Sequence, residues 1–338
     1  MTPTLSRRRF LRSTGFFALG VAASGLAVPH VARAADTRLR IASNPGLENA
    51  TLNALMEQQG YLRQFGADAV IVEAPGATGP FDAIAAGQAD VCMVSGYNMV
   101  LSRIEQGARC KIIGAGMRKS ALTVFAKGEG IRNLPDLRGR TVAVGPDMGL
   151  LHALMLQLLK EKGVDPLLVK FVDKGSNDEC YQAVVQGEAD ACCASISHLN
   201  DRDGLTVVGG GKLWQALPKY IFQTAYASDA AIVQKQQAIV AVMAAYGKLY
   251  EYLMSPAAQA PFFEARRRAQ RKFDEASARA ISEFNQVQRP YSRDLSLAGD
   301  EIGYMQDMFI GLGVLKRKQA LAAVADMSMA TAAAKLLG

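Results

Sequence analysis

The feature that most constrains this chain is a segment that occurs twice. "DAIAAGQADVCMVS" at 82–95 matches "QAVVQGEADACCAS" at 182–195, so that Gly87, Ala89, Asp90, Cys92 and Ser95 recur as Gly187, Ala189, Asp190, Cys192 and Ser195. A second pair precedes it in the same order: "NPGLENATLNALM" (44–56) parallels "GPDMGLLHALM" (145–155), with Pro45 facing Pro146 and Asn53 facing His152. Two matched pieces in one order argue for two lobes on one plan. Each lobe contributes a loop that opens a helix and a strand that ends in serine.

The hydrophobic pattern says what kind of lobe this is. "RLRIAS" (38–43), "DAVIVEA" (68–74), "DVCMVS" (90–95) and "CKIIGAG" (110–116) read as short buried strands, with predicted helices at about 50–62, 78–87 and 97–107 between them. Strands alternating with helices on this scale give βα units around a mainly parallel sheet, an α/β fold. "LTVFAKGE" (122–129) reads as a strand leaving the first lobe and "YIFQTAYAS" (220–228) as one returning to it. From 229 onward the pattern is helical, over 229–254, 256–269, 274–288 and 299–312, and more weakly after 316. Two connecting strands make a hinge with a cleft beneath it. Open α/β sheets bind ligands outside the carboxyl ends of their strands, so the turns after those strands are expected to line the cleft.

Half of the residues are hydrophobic and a fifth are charged. That composition gives a globular chain of 338 residues ample core and a prior of about two domains. The formal charge of +7 is concentrated at the start. Residues 1–34 hold Arg7, Arg8, Arg9, Arg12 and Arg33 and no acid, and removing those five from 38 leaves 33 basic against 31 acidic residues. A nucleic-acid binder keeps a strong basic excess in its folded part, so no nucleic-acid partner is expected. "SRRRFLRS", the apolar "GFFALGVAASGLAVP" and "ARA" before Ala35 form a cleavable export peptide over 1–34. Its apolar run of about 15 residues is short for a spanning helix, although an uncleaved anchor is the alternative. The paired arginines in S-R-R-x-F-L resemble the twin-arginine signal. No cysteine lies near the cleavage point, so a free periplasmic protein is expected.

The five cysteines, Cys92, Cys110, Cys180, Cys192 and Cys193, form no C-x-x-C pair and have no histidine nearby that suggests a zinc site. Buried thiols are the expectation, with a Cys180–Cys192 disulfide as the alternative. No metal or cofactor is expected.

The run at 84–96, "LPDLRGRTVAVG" (134–145) and "GEADAC" (187–192) carry a resemblance to a known family. The chain resembles the periplasmic substrate-binding proteins of ATP-driven importers, in the nitrate, sulfonate, taurine and thiamine-pyrimidine-precursor group. The middle motif is the most specific, matching the family's L-x-D-L-x-G-K-x-V-A. The resemblance covers nearly all of the mature chain. It implies the two-lobed periplasmic-binding-protein fold of type II, with lobe 1 from 35–120 and 225–338, lobe 2 from 121–224, two hinge strands and a helical C-terminal part. It further implies a monomer without catalytic residues that captures a small molecule and presents it to an ABC-type permease and its ATPase.

Carried over position by position, the family's contacts fall on Ser43 and Asn44, on Thr78 and Gly79, and on Ser95, Gly96 and Tyr97. In the second lobe they fall on Gly145, Asp147 and Met148 and on the segment from Ser195. Helix starts leave N–H donors unpaired and carry partial positive charge, which suits carboxylate, sulfonate or nitrate oxygens. The expected solute is small, anionic and planar. Its anionic end would meet Thr78–Gly79, Tyr97 would cover its ring, and Ser95, Ser195 and Asn44 would supply neutral hydrogen bonds. His152, matched to Asn53, and His198, at a strand end, are expected on the far side. Two departures from the family keep a neutral or cationic heterocycle open. The second-lobe turn reads Gly-Pro-Asp-Met-Gly, in which Asp147 either caps its helix or anchors a ligand, and "SISH" (195–198) stands where a tryptophan is common. Glu48 and Asp178 are also expected near the cleft.

Other candidates have plainer readings. Trp214 is read as a lobe-packing anchor, and "EARRRAQRKFDEASAR" (264–279) as a solvated helix face. Two further functions stand as alternatives: a pyrimidine-precursor-type enzyme, whose dense cysteine run is missing here, and a sensor that reports a ligand to a membrane receptor.

Overall fold

The computed structural model describes residues 38–76 and 78–338; the export signal expected over 1–34 lies outside them. Its strands are β1 (Leu39–Ser43), β2 (Ala69–Glu73), β3 (Val91–Gly96), β4 (Cys110–Ala115), β5 (Leu122–Ala126), β6 (Thr141–Val144), β7 (Lys170–Asp173), β8 (Ala191–Ser195), β9 (Thr206–Lys212) and β10 (Gln223–Ser228). They form two five-stranded sheets, ordered β2-β1-β3-β10-β4 and β7-β6-β8-β5-β9. In the first sheet β1 runs parallel to β2 and β3, and β10 runs antiparallel to β3 and β4. The second sheet repeats this, with β6 parallel to β7 and β8, and β5 antiparallel to β8 and β9. Each sheet therefore takes its antiparallel strand from a crossing of the chain.

The repeated motif has a physical job in both sheets. Helices α1 (Leu47–Gln59), α2 (Gly79–Ala85), α3 (Tyr97–Glu105), α4 (Leu150–Glu161) and α5 (Asn177–Gln186) follow strands. After α2 the chain reverses at Gly87 (φ 70°), and after α5 at Gly187 (φ 81°), left-handed positions that glycine occupies without strain. The aspartate three residues later then clamps the next strand to the first one. Asp90 N–H donates to the Arg40 carbonyl and its carboxylate accepts from Arg40 N–H, both at 2.8 Å. Asp190 does the same with Thr141, at 2.9 and 2.8 Å.

The two clamps are not equal. Asp90 is buried and also meets Arg40 Nη2 at 2.8 Å and Lys235 Nζ at 3.0 Å. Asp190 is half-exposed, with Arg140 Nη1 at 3.9 Å. Burial raises the Asp90 carboxyl, but the hydrogen bonds from Arg40 and Lys235 outweigh it and hold the group below its ordinary value. Lys235 also interrupts the helix expected over 229–254, its φ of −126° separating the short helix Asp229–Gln234 from α6 (Gln236–Leu253).

The remaining C-terminal helices are α7 (Gln259–Ala269), α8 (Glu275–Gln288), α9 (Gly299–Gly311) and α10 (Ser328–Leu337). Between the sheets run two crossing segments, 116–121 and 217–222. They are tied where they leave the first sheet, Gln223 N–H donating to Met117 O at 2.8 Å and Gly116 N–H to Gln223 O at 3.2 Å. The segment after α8 reinforces them, since Arg118 N–H donates to Pro290 O at 2.7 Å and Ser292 N–H to Gly116 O at 3.1 Å.

All five cysteines are buried free thiols, so the alternative Cys180–Cys192 disulfide is not made. Burial pushes Cys92 and Cys180 up to about 11 and Cys110 up to about 12. Thiolate is the reactive form, so a thiol reagent at pH 8 is expected to modify none of the five in the native protein and all of them in denaturant.

Asp90→Asn is expected to destabilise the protein at pH 7 by about 3 kcal/mol, the scale of breaking a buried ion pair. Asp190→Asn should cost about 1 kcal/mol. Because the folded carboxyl of Asp90 is depressed, its contribution is full above the unfolded value and fades as pH falls through the folded one. Urea unfolding should therefore show the gap between wild type and Asp90→Asn closing below about pH 4.

Candidate ligand-binding cleft

Two adjoining cavities, of about 210 and 490 Å³, share Glu48, Asn49, Asn177 and Ser195 in their walls. The start of α1 supplies one side, the start of α5 and the end of β8 supply the other, and α7 and α8 close the back. Residues from both sheets and the C-terminal helices thus meet at one place. A more open hollow of about 770 Å³ lies between Arg118, the 291–301 segment and the chain end at Gly338. Its walls include nothing from the second sheet, so it cannot sense one sheet's position against the other.

The smaller, inner cavity is largely apolar, with Phe222, Phe262, Phe284 and Tyr291 in its wall. Tyr291 is held flat against Tyr250, rings 4.7 Å apart and 10° from parallel. Into these aromatic walls are set three amides, Asn177, Gln223 and Asn285, each with a buried oxygen that finds no hydrogen-bond partner among the described residues. Asn285 is 1% exposed. A buried polar atom left unpaired costs about 1–3 kcal/mol, so three around one hollow are unusual unless something enters to complete them.

The outer cavity is polar. Arg266 is only 2% exposed, and its Nη1 donates to both oxygens of Glu48 at 2.9 and 3.0 Å while Nη2 donates to Ser277 Oγ at 3.1 Å. The Glu48 side chain opens on the cavity and is about half exposed there. Burial raises its carboxyl, Arg266 pulls against that, and Asp178 pushes it further up. His198 stacks on Tyr181, 3.7 Å apart and 5° from parallel, with Nε2 3.5 Å from Asp178 Oδ1. That imidazole lowers the Asp178 carboxyl.

Of the residues expected from sequence, Asn44, Glu48, Asp178, Ser195 and His198 line this cleft, while Ser43 lies behind it, accepting from Asn53 Nδ2 at 3.0 Å. Asn44 also ties its own turn, with Nδ2 donating to Gly76 O at 2.7 Å and Oδ1 accepting from Gly46 N–H at 2.8 Å. Thr78 and Gly79 are not in the cleft walls. The Thr78 hydroxyl donates to Asp82 at 2.6 Å, so the turn expected to receive the anionic end has a carboxylate on it. Tyr97 does not cover a ligand; it is fully buried in the core that includes Val100 and Leu101. Ser95 and Gly96 pair in the sheet with Thr224 and Gln223.

The second-lobe turn is likewise self-contained. Met148 (φ 54°) donates its N–H to His152 Nδ1 at 3.2 Å, Asp147 Oδ1 stands 3.0 Å from the same nitrogen, and the ring packs on Phe171. Gly145 lies against Gly175 O, which a Cβ would meet at 2.9 Å. His152 and Asn53 therefore share a local role, His152 bonding back to the loop ahead of its helix and Asn53 to the end of the preceding strand.

Sequence reasoning missed Arg266, the central cation of the cleft, by reading 264–279 as a solvated face. Its signal is phase rather than composition. Phe262, Phe263 and Ala265 are buried on α7, and Arg266, four residues after Phe262, falls on their face. Trp214 does anchor packing, edge-on to Phe284 with centroids 5.2 Å apart. Unfolding measurements should separate the adjacent arginines. Arg266→Met is expected to cost about 2 kcal/mol or more, and Arg267→Ala and Arg268→Ala about 0.5 kcal/mol or less.

Comparison with known proteins adds the family. The profile of the NMT1/THI5-like family matches residues 51–260. No curated protein matches the chain in sequence. Among solved structures, the periplasmic aliphatic sulphonate binding protein SsuA from Escherichia coli is similar with a TM-score of 0.70 at 16% identity, over 86% of this chain and 92% of that one. The alkanesulfonate-binding protein SsuA from Xanthomonas axonopodis pv. citri, bound to MOPS, gives 0.67 at 18% identity over 85% and 98%. The periplasmic nitrate-binding protein NrtA from Synechocystis PCC 6803 gives 0.70 at 11% identity over 89% of each chain. These establish a shared periplasmic-binding-protein fold.

Proposed function

Because the chain belongs to the NMT1/THI5-like family, we propose that it is a solute-binding protein that holds one small organic molecule in the cleft between its two sheets. The observation that carries this reading is the inner cavity, where aromatic walls surround three unpaired amides at the meeting point of both sheets. A planar apolar body fills the aromatic part, its polar edge completes the amides, and its outer end reaches Ser195 and His198. The protein does no chemistry on this molecule.

The two crossing segments act as the hinge, with residues 35–120 and 225–338 moving against 121–224. Opening admits the solute and closure buries it, the hinge-closure device of binding proteins. After export and loss of residues 1–34 the protein works in the periplasm and presents its solute to an ABC-type permease and its ATPase. The fold shared with proteins named for sulfonate and nitrate binding supports this role.

Native mass spectrometry of periplasmic protein should show one small molecule per chain. Returning that molecule to stripped protein should lower the radius of gyration in small-angle scattering. Asn285→Leu, which removes a buried partner, is expected to weaken binding at least tenfold. A stripped protein that neither binds a component of cell extract nor compacts contradicts the reading.

A further inference from the structure

Helix α9 contributes nothing to the walls of either cleft cavity, yet it touches both crossing segments. On the first segment Met117 and Ala121 line the inner cavity, while Arg118 turns outward to pair with Glu301 in the first turn of α9. On the second, Phe222 lines the cavity, and its neighbours Tyr220 and Ile221 meet α9 instead. The Tyr220 ring stands edge-on to Phe309 with centroids 6.4 Å apart, and Ile221 N–H donates to Met305 Sδ at 3.4 Å. The crossing segments therefore run between the cavity in front and α9 behind.

The partners of α9 belong to both sheets. Just after the helix the chain is fixed to the first-sheet side: Glu105 of α3 accepts from Lys316 and Arg317 N–H, each at 2.9 Å, and Asp326 N–H donates to Ile112 O of β4 at 2.8 Å. The far end of α4, from the second-sheet side, comes to meet it. Lys160 Nζ donates to Gly311 O, in the last turn of α9, at 3.0 Å. A cation there is favoured by the partial negative charge of a helix C-terminus. Tyr304, on the same helix, has Lys219 Nζ of the second crossing segment 5.7 Å from its ring centre. Burial and, across the gap, Glu161 of α4 raise its phenol.

On the hinge reading above, a rotation that brings the cavity walls together parts the surfaces behind the crossing segments. We propose that α9 is a stop for this hinge. Lys160 and Tyr304 are its positioning residues, holding α4 and the second crossing segment against α9 while the cleft is open and releasing them as it closes. Neither lines the cleft. The solute supplies the free energy of that release, so the contacts behind the hinge lower its apparent affinity and keep the solute-free protein open.

Distance measurements between two spin labels by pulsed electron resonance test this. The labels go on Glu73→Cys and Asp173→Cys, exposed residues at the carboxyl ends of the edge strands β2 and β7, and the buried native thiols stay unlabelled. The protein is measured as purified from periplasm and again after stripping by unfolding and refolding. In the stripped state Lys160→Met, at an exposed position, is expected to raise the ratio of short to long distances about two- to fivefold, the scale of one cation at a helix end. Tyr304→Ala should shift the ratio the same way. Lys162→Met, in the wall of a separate hollow beside β9, should leave it unchanged. A residue that serves only stability gives no such shift toward closure. A ratio that is unchanged in both variants, or that moves toward the long distance, overturns the stop and leaves the hinge standing. One and the same distance in the wild type before and after stripping overturns the hinge and the stop together.

Discussion

A guanidinium taken out of water must be held by acceptors, and the cleft is organised around one that is. Removing such a charge from solvent costs several kcal/mol before its partners offset it. Arg266 therefore makes sense only with Glu48 from α1 and Ser277 from α8 in place. Those three side chains fix α1, α7 and α8 against one another. The same three helices form the back and one side of both cavities. The pair thereby sets the cleft's shape, and it uses up the cleft's one buried positive charge in doing so.

The duplicated plan makes the lobes alike, and the C-terminal helices make them different. Asp90 and Asp190 perform the same backbone clamp, yet only Asp90 has acquired a lysine from the C-terminal part. The added helices pack on the first sheet and also on the second-sheet side, where α8 lies against the turn after β8 (196–198), Phe284 meets Trp214 edge-on with centroids 5.2 Å apart, and Lys160 Nζ donates to Gly311 O at 3.0 Å. Contacts of this kind, together with two short crossing segments, are what a hinge motion can break and remake without disturbing either sheet.

How much of this was legible from sequence follows from what each feature depends on. The first sheet's strands and the strands β5 and β10 could be read because burial and β-branching act locally, but β5 and β10 lie inside the sheets, and the links expected to be hinge strands are the irregular segments 116–121 and 217–222. The left-handed Gly87 and Gly187 and the aspartates after them are local as well, which is why they recur as a motif. The "LPDL" start of the second sheet is similar: Asp136 accepts from Arg132 and Asn133 N–H at 2.9 and 2.8 Å and closes its own turn. The site was harder. Asn44, Ser195 and His198 sit at strand ends, where topology alone sends them. Tyr97 and His152 sit beside such ends, but their helices turn the rings into the core and onto the turn. Arg266, Asn285 and Tyr291 are more than 200 residues from Glu48 in sequence, and only long-range packing brings them to the cavity.

Enclosure of one solute between the sheets at the aromatic inner cavity is open to direct observation in a crystal structure of the protein carrying its co-purified molecule. Ligand density is expected against Tyr291 and Phe284, within hydrogen-bond reach of Asn285 and Asn177. Density in the hollow beside Arg118, or at the Thr78 turn with the inner cavity filled by collapsed side chains, would contradict it.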